Sequence, residues 1–445
     1  MRQFGARLLC FLVATVACSS GYSYSLSGRI TLGTYDSREL VLQNPDVSGN
    51  NSNDVATVSG RFFLRAYDIT ENKFELISDI RDKNDFFGIV DSQRQTLTQA
   101  NTLQFRQFSV KYPGPHFFTE LGRFPVPEAG TVFTDGMLQG AVLSHQFRLA
   151  AFGGLNPKRS DQTFVQWNSD SQVYGTYLTY IPLYQPWGTA FFLNTAAATD
   201  IVQSQTDRTY WYTNAVFQWN PMSRVSLLTY LDFVPNTYLQ NGSFDYSQGL
   251  GSKWQTSLNY FSIDVIEYLR LKNIRSQLSP SPYHEGDAKV RYLPNNRVSI
   301  EGGYSLGHRF ADNLDRKEAS LGAYLSRLLG VHWDLNLLTG YRDNFTSYDT
   351  FGDIQLDYFS NVWEIDLSED FGVENYKTDR AVYHLLVTEL SLSRTFKNSL
   401  YGTFSVQDVH DERVQILTVF MKLSYRFGSK EIPPVRDGAP PKGRL

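Results

Sequence analysis

The chain has 445 residues with a formal net charge of −4; 19% of its residues are charged and 15% aromatic, including 27 Tyr and 31 Phe. Such a length ordinarily divides into roughly two or three soluble domains, yet no charge run or proline-rich linker interrupts residues 22–427. The near-neutral balance leaves no basic patch or stripe, which excludes a nucleic-acid partner.

Taken in chain order, the first element is a leader. Arg2 and Arg7 precede an apolar stretch from Leu8 to Ala17, and Cys18, Ser19, Ser20 and Gly21 follow. A charged start, a short apolar run and small residues make a secretory signal peptide over 1–21, too short to cross a bilayer as a helix. Ordinary cleavage is expected near residues 19–21. Thr15-Val16-Ala17-Cys18 also resembles a lipoprotein cleavage box, with Thr15 where that pattern wants Leu. Both cysteines, Cys10 and Cys18, lie in or beside the leader. The mature chain is therefore expected to have no disulfide, thiolate metal site or Cys nucleophile.

No later run approaches the roughly 18–20 apolar residues of a transmembrane helix. A mean hydropathy of −0.32 reads as soluble, but a membrane β-barrel escapes that test because only alternate residues face lipid. Alternation recurs along the chain. Tyr24, Leu26, Gly28, Ile30 and Leu32 alternate with Ser25, Ser27, Arg29, Thr31 and Gly33. Val298, Ile300, Gly302, Tyr304 and Leu306 form another apolar phase, as do Leu417, Val419, Met421, Leu423, Tyr425 and Phe427. A soluble sandwich alternates too, so other features must decide. Segments of about 9–13 residues suit tilted membrane strands better than soluble strands of about 5–6. Aromatics gather near segment ends, at Tyr22, Tyr24, Tyr184, Trp187, Trp219, Tyr425 and Phe427, where rings suit the headgroup level. Short connections such as Pro113-Gly114-Pro115-His116, Asn220-Pro221-Met222-Ser223 and Lys397-Asn398 alternate with long ones at 35–55, 83–93, 125–135, 155–170 and 273–282. The expected fold is all-β: one antiparallel transmembrane barrel over 22–427, with short periplasmic turns, longer extracellular loops and both ends in the periplasm. Candidate strands begin near 23, 56, 74, 94, 116, 136, 146, 171, 187, 207, 223, 250, 263, 283, 297, 316, 331, 350, 362, 380, 399 and 413. That makes 22; merging the weaker segments at 74–82, 136–143, 263–272 and 362–371 widens the range to 16–22.

Within this walk, Gln104-Phe105-Arg106-Gln107-Phe108-Ser109-Val110-Lys111-Tyr112 leads through a turn to Leu121-Gly122-Arg123-Phe124. Pro127, Gly130, Asp135-Gly136 and Ala150-Ala151-Phe152-Gly153-Gly154 follow. This succession over 104–154 resembles bacterial porins and porin-like outer-membrane proteins. The resemblance implies a passive channel of even strand number for small polar solutes. The long infolded constriction loop of trimeric porins has no clear counterpart; 125–135 is the nearest. Near the end, Lys422-Leu423-Ser424-Tyr425-Arg426-Phe427 resembles the terminal-strand signal that the barrel-assembly machinery reads, with Leu423, Tyr425 and Phe427 as its apolar phase. The segment 428–445, with Pro433, Pro434, Pro440 and Pro441, is expected to be a disordered periplasmic tail.

In the segment near 56–69 the apolar phase is Ala56, Val58, Gly60, Phe62, Leu64 and Ala66, facing outer-membrane lipid. Arg61 and Arg65 then face the lumen, joined by Arg29, Arg106 and Arg123. A row of permanently charged, planar donors can guide anions or polar solutes; alternatively, these arginines pair with inward acids such as Glu120 and hold the wall together. Bulky inward Phe63, Tyr67, Tyr324 and Phe420 would narrow the bore. The seven histidines are scattered and no nucleophile elbow or spaced acidic Ca²⁺ loop is apparent, so neither an enzyme nor a cofactor or metal is expected. Strand character from about residue 22 leaves no room for the plug of energised importers. Two functional readings stand: a porin-like passive channel, and a closed barrel serving as a scaffold, adhesin or partner in an envelope complex.

Overall fold

The computed structural model describes residues 25–41, 55–69, 74–85, 101–157, 170–181, 189–234, 238–263 and 283–428, apart from Ala311, Leu329 and Asn398. The leader, with Tyr22 and Tyr24, lies outside the described residues, as do Tyr184, Trp187 and the segment from 429 onward.

Among the described residues stand 22 strands: β1 (Ser25–Val41), β2 (Val55–Ile69), β3 (Phe74–Asp85), β4 (Asn101–Pro113), β5 (Phe117–Val126), β6 (Val132–Val142), β7 (Phe147–Leu155), β8 (Ser171–Tyr180), β9 (Ala190–Val202), β10 (Gln205–Asn220) and β11 (Ser223–Val234). The second half comprises β12 (Tyr238–Leu250), β13 (Trp254–Ile263), β14 (Tyr283–Asn295), β15 (Val298–Arg309), β16 (Leu314–Ser326), β17 (Trp333–Asp343), β18 (Ser347–Phe359), β19 (Trp363–Tyr376), β20 (Val382–Lys397), β21 (Leu400–His410) and β22 (Val414–Gly428). Each pairs antiparallel with its chain neighbours, and β22 closes the ring on β1 in a ladder from Ser27 opposite Gly428 to Val41 opposite Val414. Closure leaves no edge strand, the condition for a sheet to stand in lipid, although β4 pairs with β5 only from Phe108 to Pro113.

Register sorts the side chains. Leu26, Gly28, Ile30 and Leu32 of β1 face Ala66, Leu64, Phe62 and Gly60 of β2 on one surface of the wall. On the other side of β1, Leu32 meets Leu423 and Ile30 meets Tyr425. This phase is the outside: Leu32, Leu121, Leu227, Leu321, Leu367 and Leu423 are exposed, whereas Phe62, Leu64 and Ala66 of β2 are covered. At about 25 cal/mol per Å² such a belt is unfavourable in water and neutral in hydrocarbon, so the outer surface is built for a bilayer. Phe147, Tyr180, Phe191, Phe217, Trp219 and Tyr246 follow one another with ring centroids 4.9–6.3 Å apart along the end of the barrel that carries both termini. Trp254 and Tyr292 stack 4.5 Å apart on the neighbouring strands. This is an aromatic girdle, assembled from strand ends distant in sequence.

Several boundaries differ from the sequence expectation. β1 continues to Val41 through the expected connection at 35–55, and the fourth strand starts at Asn101 rather than near 94. The starts placed near 250 and 263 coincide with the ends of β12 and β13. The inner phase of β12, Asn241, Ser243, Asp245, Ser247 and Gly249, has the composition of a loop because it faces water across the lumen. The β14–β15 connection and all later ones contain two to six residues at either end of the barrel. The longest connections, 42–54, 86–100, 156–170 and 264–282, leave the end opposite the girdle.

Candidate functional site

The lumen is shaped by one break in the alternation. Leu121 is exposed on the outside, yet Arg123, two residues on, is buried. Gly122 between them has φ +116, and a Cβ there would lie 2.3 Å from the Phe108 carbonyl oxygen. Only glycine accommodates this flip. Beyond it β5 turns its apolar side chains onto the inner wall, and Phe124, Val126 and Ala129 become fully buried. A 3₁₀ turn over Pro127–Ala129 begins on the fixed φ of Pro127 and ends at Gly130 with φ +77. The hairpin tip packs on Val173, Tyr177, Ala196, Ala198, Tyr210 and Tyr212. The alanines leave the space it fills. Three inward side chains clamp its carbonyls: Asn194 Nδ2 donates to Glu128 at 2.8 Å, Tyr210 Oη to Ala129 at 2.9 Å, and Tyr230 Oη to Gly130 at 3.1 Å. The 125–135 segment is thus an infolded constriction inside the barrel, with its carbonyls satisfied by the wall.

Arg123 is anchored at the root of this hairpin. Its Nε and Nη2 both donate to Asp135 at 2.5 Å, and Nη1 donates to the Phe105 carbonyl at 3.2 Å. Arg106 lies beside it, its guanidinium 5.9 Å from the Phe133 ring, with no carboxylate among the described residues at ion-pair distance. Both line a cavity of about 400 Å³ with Asn156, Asp200, Arg208, Tyr210 and Tyr230. Arg208 is itself held by Asp232 at 2.9 Å, donates to Gln240, and lies 4.0 Å from the Tyr210 ring centroid.

The other expected lumen residues stand apart from this cavity. Arg61 is bidentate to Asp79 at 2.8 and 2.9 Å. Arg65 reaches Glu75 at 2.6 Å and covers Tyr67 at 4.4 Å. Arg29 shares their face, opposite Phe63 and Arg426. Glu120 accepts from Ser109 at 2.7 Å and Gln107 at 3.3 Å rather than from an arginine. Leu423 and Tyr425 are on the exposed outer face of β22, and Phe427 stacks 6.3 Å from Tyr425 and 6.4 Å from Phe62. Asn194, Arg208, Tyr210, Tyr230 and Asp232 escaped the sequence reading. The available signal was Tyr210-Trp211-Tyr212, aromatic in both phases, since an inward aromatic phase needs something inside to pack against.

Across the bore, β13–β18 border a second and larger space of about 1230 Å³, lined among others by Gln255, Lys289, Arg291, Glu301, Tyr324, Asn336 and Gln355. Its wall carries a charge network: Arg291–Glu301 at 2.6 Å, Arg316–Glu285 at 3.0 Å, Arg316–Glu318 at 2.5 Å and Arg342–Glu318 at 2.7 Å. The hairpin therefore occupies one side of the lumen and leaves polar space on the other.

The fold and lumen define a class: a closed 22-stranded membrane-type barrel with a polar interior and an infolded hairpin. No family model and no curated protein matches the chain. Among solved structures it is similar to OccAB4 of Acinetobacter baumannii, with 8% identity over 92% of this chain and 99% of that one and a TM-score of 0.43. It is also similar to OpdQ of Pseudomonas aeruginosa, with 8% identity, 91% and 98% coverage and a TM-score of 0.41. A BenF-like porin from Pseudomonas fluorescens Pf-5 aligns at 10% identity, 92% and 99% coverage and a TM-score of 0.42.

Proposed function

We propose that this chain is an outer-membrane barrel of a Gram-negative envelope, exported by a cleaved leader, and that it acts as a porin-like passive channel for small polar solutes. The observation carrying this reading is the open space across the bore from the hairpin: about 1230 Å³ on the β13–β18 side that the 125–135 segment does not fill. A barrel used only as a scaffold gains nothing from a water-filled bore, whereas a constriction clamped to one wall sets a size limit and leaves a path. In this reading the lumen arginines hold the wall and the hairpin in place and present fixed charge to passing solute, and the terminal Leu423, Tyr425 and Phe427 serve barrel assembly. The reading assigns the chain no catalytic step.

Purified, folded protein in planar bilayers tests this. Discrete, long-lived conductance steps are expected, with uptake of small sugars or amino acids into liposomes that excludes larger ones. Folded protein that inserts without conductance overturns the channel and favours the closed barrel.

A further inference from the structure

Like charges placed directly opposite each other in a sheet are destabilising, and the lumen wall from β17 to β19 does this repeatedly. Asp334 faces Asp357, which faces Asp366 on its other side, and Asp353 faces Asp370. All are on the inner phase, since the alternate residues Ile354, Leu367 and Phe371 are exposed on the outside. Asp334 is satisfied by neutral donors, the Tyr324 hydroxyl at 2.6 Å and the Arg327 N–H at 3.0 Å, and Asp357 by the Gln355 amide at 2.9 Å. No Lys or Arg among the described residues pairs with Asp334, Asp353, Asp357 or Asp370. A separate observation points the same way. Asp349, four residues before Asp353 on β18, is 5% exposed, and its Oδ1 has no hydrogen-bond partner.

Seven arginines elsewhere on the wall do not offset this. Arg61, Arg65, Arg123, Arg208, Arg291, Arg316 and Arg342 each engage a carboxylate, so their charge is already matched. The unpaired charge of Asp334, Asp353, Asp357 and Asp370 is negative, and it borders the open space through Asp357, where the lining also carries Lys289, Arg297 and Arg327. Between low-dielectric walls such a strip concentrates mobile counter-ions.

We infer that the aspartate strip of β17–β19 makes the pore cation-selective, so that its preferred solutes are small cations rather than the anions an arginine-lined lumen suggests. This rests on the channel reading above. The test is the reversal potential of the full-length protein in planar bilayers under a KCl gradient. The expected result is a permeability for K⁺ above that for Cl⁻ by about threefold or more. Asp353→Asn with Asp370→Asn, and Asp357→Asn alone as a milder second variant, should each move that ratio toward one while single-channel steps persist. Folding of each is checked by heat-modifiable gel migration. Conductance with no cation preference, or with a preference the variants leave unchanged, overturns this inference and leaves the channel standing. Absence of conductance overturns both.

Discussion

Gly122 sets the direction in which the hairpin leaves the wall. Its positive φ turns Arg123 and Phe124 inward from a strand whose preceding residue faces out. Gly122→Val should cost about 1–3 kcal/mol and displace the hairpin; a lowered denaturation midpoint together with altered conductance would register it. Arg123 and Asp135 are about nine-tenths buried, so removing one partner strands the other. Asp135→Ala is expected to cost about 3–5 kcal/mol, more than the double replacement of both by apolar residues, and a double-mutant cycle on urea midpoints checks this. Glycine and aspartate at these positions are visible in the sequence, but their pairing across β5 and β6 depends on a register that alternation alone does not specify.

Among the elements, the β5–β6 hairpin and the tight turns behave differently. The hairpin tip is held by Asn194, Tyr210 and Tyr230 through three hydrogen bonds. Replacing both tyrosines by phenylalanine keeps the packing and removes two bonds, each worth about 0.5–1.5 kcal/mol. The expected outcome is a mobile tip, seen as excess current noise with little change in overall stability. In the β21–β22 turn, Asp411 accepts the N–H groups of Arg413 at 2.6 Å and Val414 at 2.8 Å, and the Arg413 guanidinium at 2.7 Å. Burial raises its pKa, but these hydrogen bonds outweigh it and hold the carboxyl below its ordinary value. A depressed carboxyl contributes stability above its unfolded pKa and loses it as pH falls through the folded value. Asp411→Asn should therefore narrow the gap in unfolding midpoint between pH 7 and the acid range, measured side by side with the parent chain. Strands such as β1, β15 and β22 were legible because their inner phase differs sharply from their outer one. The boundaries of β12 and β13 were not, since Asn, Ser and Gly on a lumen-facing phase look like loop residues. The infolding of 125–135 was equally hidden: the contacts that clamp it come from β9, β10 and β11, 66 to 100 residues further along.

For the whole molecule, closure decides the architecture. Alternating apolar residues place a lipid-facing belt outside and a polar wall inside, and the β1–β22 ladder removes the last edge. Even strand number, both barrel termini at one end and the absence of a membrane-spanning helix among the described residues then follow together. What alternation does not reveal is how much of the bore is occupied, because occupancy depends on one hairpin folding back through it. Of the arginine row expected to dominate the lumen, Arg61, Arg65 and Arg123 are held in ion pairs, while Asp334 faces Asp357 and Asp353 faces Asp370 on other strands.

The central claim, that the barrel is a pore narrowed by its own hairpin, is tested most directly by single-channel conductance of the folded protein beside a variant in which residues 127–131 are replaced by a two-residue turn. The account predicts discrete steps for the parent chain and larger steps for the shortened hairpin. Folded protein that gives no steps in either form would contradict it.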